Sequence, residues 1–328
     1  MINIFRNYNP LTIFWLVILL FIMRTGYLIY APENVQLMLA EPFMRSILPV
    51  SYAKSFSPAL SMMLAGIVVL SQALLLNYLI NQHNLLGKPS FLPALMYVVV
   101  SGIFTSFLVL SAPLLCNYLV IWMVAKLLNL YKDEDAKSTG FDLGMIAAVG
   151  TLIYLPFVYQ VLVVWAALVV FRPFDWRDYA ASLIGYATVF FFIAVYYYLH
   201  DSLNNFHKIW LPLGTPLKDF TAFDKYDYFL LIPVALILVL GLFRLQENFF
   251  KSYVLVRKTF QLLLLIFIIA ALSFYVRPEF GSTHFLLCVV PIAIFFAYYF
   301  LYAGKRWFYE TLFLLLLVGI IYFQFNTF

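Results

Sequence analysis

Apolar stretches of about 18 residues or more recur along this chain, each long enough to cross a hydrocarbon core of roughly 30 Å. The charged residues are held to the short pieces between them. Backbone groups inside lipid must pair within their own segment, so such stretches are expected to be helices. Period-two alternation is absent, and the runs are rich in Leu, Ile and Phe, which argues against an outer-membrane barrel. A length of 328 residues would allow two soluble domains. A composition of 65% apolar and 11% charged residues leaves too little polar surface to cover them. One integral membrane domain over 1–328 is expected, an all-α polytopic transmembrane bundle.

The apolar runs fall at 11–30, 58–80, 92–112, 114–131, 141–155, 157–172, 179–200, 228–246, 259–276, 283–303 and 307–326, which gives about eleven spans. The run from Leu11 is too long for a signal-peptide core and lacks a small-residue cleavage site, so it is expected to stay as the first span. Pro156 divides the stretch 141–172, which reads as two short helices or as one long kinked helix. Two helices keep the charge pattern consistent. With a cytoplasmic N-terminus, thirteen of the 20 Lys and Arg residues fall on the inner side and six on the outer, with Arg24 inside the first run. The opposite orientation inverts the positive-inside bias. That bias also explains the net charge of +5 without nucleic acid, for which no basic–aromatic patch is visible.

Once the inner set of charges is assigned to anchoring, the outer set remains. The first outer loop, 31–57, carries Pro32 and Glu33 at the start of an apolar piece that Pro42 should end. A second short piece follows up to Pro49. Both suit interfacial helices and would hold Glu33, Glu41 and Arg45 at headgroup level. The second outer loop, 201–227, is also amphipathic. The third, 277–284, carries Arg277, Glu279 and His284. Arg24 sits within a span, nearer its outer end. It either snorkels to the interface or pairs with a carboxylate or an anionic headgroup. Lys126 is close enough to the inner boundary to snorkel.

Three of the four histidines (His200, His207 and His284) lie on the outer side, but no HxxxH or HExxH pair occurs, so no metal site is expected. A divalent cation held between outer carboxylates and a substrate phosphate stays open. Cys116 and Cys288 read as buried structural thiols. Gln72, Asn77, Asn117 and Gln160 are expected to hydrogen-bond between helices. The segment 171–178, with Arg172, Trp176 and Arg177, reads as an interfacial anchor.

Segments 3–11, 87–93, 171–178 and 277–291 together resemble an uncharacterised family of polytopic inner-membrane proteins from Bacteroidota. The resemblance covers most of the chain and implies a bacterial cytoplasmic membrane, without an activity. In layout the chain is also similar to the GT-C superfamily of membrane glycosyltransferases. These have an inner N-terminus, many helices, and a first outer loop with interfacial helices and a catalytic acid. They take sugars from polyprenyl-phosphate carriers. The chain departs from that pattern: no Asp-Asp or Asp-Glu pair follows the first span, and the outer domain common there is missing.

What the second resemblance implies is a lipid-linked sugar transferase. Glu41 or Glu33 would be the general base, with Arg24, Arg45 and Arg277 on the departing phosphate and Glu279 and His284 beside them. Two other classes fit the same sequence. One is a non-enzymatic partner of other envelope proteins, in keeping with the scarcity of charge inside the spans. The other is a transporter or lipid flippase, which calls for a polar passage between helices. Membrane lipids are partners on every reading.

Overall fold

A computed structural model describes residues 1–29, 57–130, 136–206, 227–249, 252–276 and 278–325. These residues are helical, and no strand occurs among them. In chain order the α-helices are α1 (Ile2–Arg6), α2 (Thr12–Ile22), α3 (Thr25–Ile29), α4 (Pro58–Gln82), α5 (Leu92–Val100), α6 (Ala112–Leu130), α7 (Ala136–Ile153), α8 (Gln160–Phe171), α9 (Trp176–Leu199), α10 (Asp227–Asn248), α11 (Val254–Leu272), α12 (Val289–Tyr302) and α13 (Arg306–Phe325). Short 3-10 segments at Thr105–Leu108, Leu155–Tyr159, Ser273–Val276 and Pro278–Cys288 join some of them. Seven helical segments among the described residues are long and apolar enough to cross a membrane: Pro58–Gln82, Ala112–Leu130, Trp176–Leu199, Phe229–Asn248, Val254–Val276, Gly281–Tyr302 and Arg306–Phe325.

The other expected spans have a different form. The first run breaks at Met23 and Arg24 into α2 and the short α3. The third stops after nine residues at Ser101, where Ser, Gly and Thr interrupt the apolar sequence, and only a 3-10 turn follows. The start of the tenth, up to Cys288, is 3-10 rather than α, with Gly281 at φ 55. That left-handed backbone suits a residue without a Cβ.

The stretch around Pro156 is a reversal. Gly140 faces the Asp178 backbone and Gly144 that of Ser182, while Tyr186 Oη donates to Thr151 Oγ1 at 3.2 Å. Residue numbers rise together on both helices, so α7 and α9 run parallel and the piece between them must carry the chain back. It turns at Tyr154, which is extended, continues through the 3-10 turn with Pro156 near its start, and returns as α8. The α7–α9 seam is closed by missing side chains. A Cβ on Gly144 would lie 2.0 Å from the Ser182 carbonyl oxygen, and one on Gly185 would lie 2.1 Å from that of Phe141. Lipid gives no hydrophobic drive between helices, so close backbone approach of this kind is what packs them.

At the centre of the bundle, every residue of α5 is buried, and so is α12 from Val289 to Phe300 apart from the half-buried Ile292. These two pack on each other, with α4 against α5 and α10 against α12. Helices α9, α10 and α13 turn large apolar side chains outward, among them Phe191, Phe192, Phe243 and Leu315. Such faces suit lipid rather than water.

Candidate functional site

Hydrogen bonds sort the polar residues into two ends of the bundle. One end gathers the start of the chain, the α4–α5 turn and the α12–α13 turn. Arg6 donates through Nε and Nη2 to Phe300 O at 2.9 and 2.7 Å, and through Nη2 to Ala303 O at 2.8 Å. Its guanidinium also lies 4.3 Å from the centre of the Tyr309 ring. The Met1 amine pairs with Glu310 at 3.0 Å. Lys126, expected to snorkel, instead makes an ion pair with Asp142 at 2.7 Å.

The opposite end holds Arg24. It does not snorkel: the residue is 5% exposed, and its Nη1 donates to Met62 O at 2.9 Å and Leu108 O at 3.0 Å. It thus ties the end of α2 to the first turns of α4 and to the 3-10 turn after α5. Gly66 lies beside it, and a Cβ there would make an ordinary contact with Arg24 Nε at 3.6 Å. No ion pair among the described residues involves Arg24. A cavity of about 10 Å³ adjoins it, lined by Ser101 and Gly102 and otherwise by apolar side chains such as Val69 and Val98. That is room for about one water, so a larger ligand would meet Arg24 only from outside this cavity.

His284 lies at the same end but is fully enclosed. Its Nδ1 is 2.7 Å from Tyr154 Oη and its Nε2 is 2.7 Å from Ala270 O. A carbonyl can only accept, so Nε2 carries the proton and Nδ1 accepts from Tyr154. Both ring nitrogens are engaged in holding the α7–α8 turn to the end of α11. Ser106 and Ser282 join the neighbouring 3-10 segments by a hydroxyl–hydroxyl bond of 2.7 Å.

Of the expected site residues, Glu33, Glu41, Arg45 and Arg277 lie outside the described residues. Glu279 falls in Pro278–Cys288, and its side chain also lies outside them. Arg24 and His284 are brought to one end but are bonded to different partners. Among the described residues there is no group of three or more His, Cys, Asp or Glu side chains that could hold a metal ion.

Sequence reasoning missed the buried node between these ends. Tyr97 Oη donates to Gln72 Oε1 at 2.7 Å, Gln72 Nε2 donates to Leu114 O at 2.7 Å, and Asn117 Nδ2 donates to Leu286 O at 3.0 Å. Gln72 and Asn117 bond between helices as expected. Asn77, Asn117 and Gln160 each keep a buried side-chain oxygen without a partner. The signal for Tyr97 was a hydroxyl inside an otherwise wholly apolar nine-residue helix. Cys116 and Cys288 are buried free thiols.

No curated protein and no solved structure matches the chain. The model of a family of unknown function, DUF6427, matches residues 32–328, all but the piece that contains Arg24, and the chain belongs to that family.

Proposed function

We propose that the chain is an integral protein of a bacterial cytoplasmic membrane, crossing it about eleven times with the N-terminus inside. On this reading the Arg24 end faces outward and meets a polyprenyl-phosphate-linked sugar. The reaction is transfer of that sugar, in the manner of GT-C glycosyltransferases. Glu41 or Glu33 takes the proton from the acceptor hydroxyl, while Arg24, Arg45 and Arg277 stabilise the departing phosphate. Glu279 and His284 border the site.

One observation carries the reading: a buried guanidinium, bonded to two carbonyls and without a carboxylate partner among the described residues. Such a charge is costly, and cations of this kind mark sites for anions. The test is sugar transfer by the purified protein in proteoliposomes. Replacing both Glu33 and Glu41 with Gln should abolish turnover, and Arg24→Gln should lower it by about a hundredfold, as loss of a transition-state donor does. Full activity in the double Gln variant would overturn the assignment.

A second reading is favoured by a specific feature of the same end. Both nitrogens of His284 are spent on Tyr154 and Ala270, and Arg24 ties three segments, as befits a scaffold for other envelope proteins. A stoichiometric partner that co-purifies with the chain, together with no turnover of any lipid-linked sugar, would favour it.

A further inference from the structure

At the end opposite Arg24, the carboxylates and cations do not all pair with one another. Asp142 is taken by Lys126, Glu247 by Arg244 and Glu310 by the Met1 amine. Asp175 caps α9, its Oδ1 accepting from the Arg177 backbone N–H at 3.0 Å. Two arginines there each keep a buried nitrogen without a hydrogen-bond partner. Arg172 follows directly on α8, and its Nη1 is buried without a hydrogen-bond partner. Arg257 lies in the first turn of α11, and its Nε is buried without a partner. The Arg257 guanidinium lies 5.5 Å from the centre of the Phe249 ring, which fixes its direction without using its donors.

The fold sets these two at a similar depth on packed helices. Helices α8 and α11 pack on each other. They share a level at the Arg24 end, where His284 bonds both Tyr154, just before the 3-10 turn that leads into α8, and Ala270 near the end of α11. The turn Leu155–Tyr159 packs on Ser273–Val276, so α8 starts near that level; it runs twelve residues from Gln160 to Arg172, and α11 runs back thirteen from Ala270 to Arg257. At 1.5 Å per residue these are rises of roughly 18 and 20 Å, so the two arginines stand at about the same depth. Axes of packed helices lie about 8–10 Å apart, a separation that two arginine side chains can span toward one tetrahedral anion.

We propose that Arg172 and Arg257 together hold the phosphate of an anionic phospholipid headgroup at the α8–α11 seam. A phosphodiester offers two free oxygens, one for each fork of N–H donors, and its acyl chains would lie along the apolar groove between the helices. The exposed rings of Phe174 and Trp176 stand next to it in sequence, at the level where aromatic residues meet headgroups. The site does not depend on which side of the membrane this end faces, nor on the transferase reading.

The test uses the full-length protein in nanodiscs of phosphatidylethanolamine and phosphatidylglycerol, with retained lipids identified by native mass spectrometry. The wild-type protein should keep phosphatidylglycerol in preference to phosphatidylethanolamine. Arg172→Gln and Arg257→Gln should each weaken that retention roughly tenfold, the loss expected for a charge-assisted hydrogen bond. The double variant should lose the preference, and Arg244→Gln, which breaks only the pair with Glu247, should keep it. If the double variant does not fold, the single variants carry the test. Unchanged retention in the single variants overturns the proposal, as does equal retention of the two lipids by wild type. Displacement of the lipid by inorganic phosphate at comparable concentration would show a site for free phosphate and overturn the lipid assignment.

Discussion

The two ends of the bundle use polar residues in opposite ways. At the Arg6 end, Arg6, Lys126 and the Met1 amine meet carboxylates or the terminal carbonyls of α12, often with one partner partly exposed. At the Arg24 end Arg24 and His284 are enclosed and bond to backbone carbonyls or to a buried tyrosine. The first arrangement balances charge locally. The second satisfies hydrogen bonds while leaving the Arg24 charge uncompensated among the described residues. Stability and function should therefore separate along the membrane normal. The Arg6 end fastens the chain, and the Arg24 end carries a buried charge that an anionic ligand would offset.

The largest effect should come from the fastening within the Arg24 end. His284→Ala removes a ring that binds Tyr154 and Ala270, leaves the Ala270 carbonyl without that donor and opens a void in the core. A loss of about 3–5 kcal/mol is expected, combining a cavity with an unsatisfied buried group. Tyr154→Phe keeps the volume and removes one bond, so about 1–2 kcal/mol is expected. Thermal unfolding of the purified variants measures both. Equal small losses would mean that the buried histidine is not a structural tie, and would return it to the list of candidates for catalysis.

Comparing Arg6 with Arg24 turns the contrast into a question of sign. Arg6→Met loses three N–H···O bonds to the end of α12 and a ring contact, for an expected destabilisation of about 2–3 kcal/mol. Arg24→Met removes a buried charge and keeps the apolar stem, so the ligand-free protein should become more stable, by about 1–2 kcal/mol. The Met62 carbonyl lies inside α4 and retains its place in the helix. Paired melting curves decide the point. If Arg24→Met is as damaging as Arg6→Met, then Arg24 has a counter-ion or acts purely as a tie, and the anion-site reading fails.

The helical membrane character was legible because every apolar run is long and the charges between runs are few. The reversal at Pro156 was legible from charge bookkeeping, and the parallel packing of α7 and α9 agrees with it. The breaks in the first and third runs were not. A hydropathy pattern sees Met23, Arg24 and Ser101 as minor interruptions, whereas the backbone there is re-aimed by bonds to residues distant in sequence, such as Leu108. For the same reason the partners of Arg24 and His284 could not be read. Both are backbone carbonyls, which every residue has, so no side-chain pattern announces them. Arg172 was legible as an anchor, but its proposed pairing with Arg257 was not: that pairing depends on α8 and α11 starting from a common level, which only the fold supplies.

The smallest expected effect lies at the Arg6 end, in the pair of Lys126 and Asp142. Each side chain is about one-third exposed, at 33% and 34%, so water and salt reach the pair despite its 2.7 Å separation. Asp142→Asn keeps the shape and a hydrogen-bond acceptor while removing the charge. Exposed pairs contribute about 0–1 kcal/mol, and this one should fall in that range. The loss should also shrink as salt is raised from low to physiological ionic strength, because the screening length drops to about 8 Å. Arg24→Met, whose charge is sealed from solvent, should show a stability change that does not vary with salt. Melting both variants across a salt series separates the ends by a property independent of size. A salt-insensitive Asp142→Asn effect, or a salt-sensitive Arg24→Met effect, would mean that the two ends are not divided by solvent access.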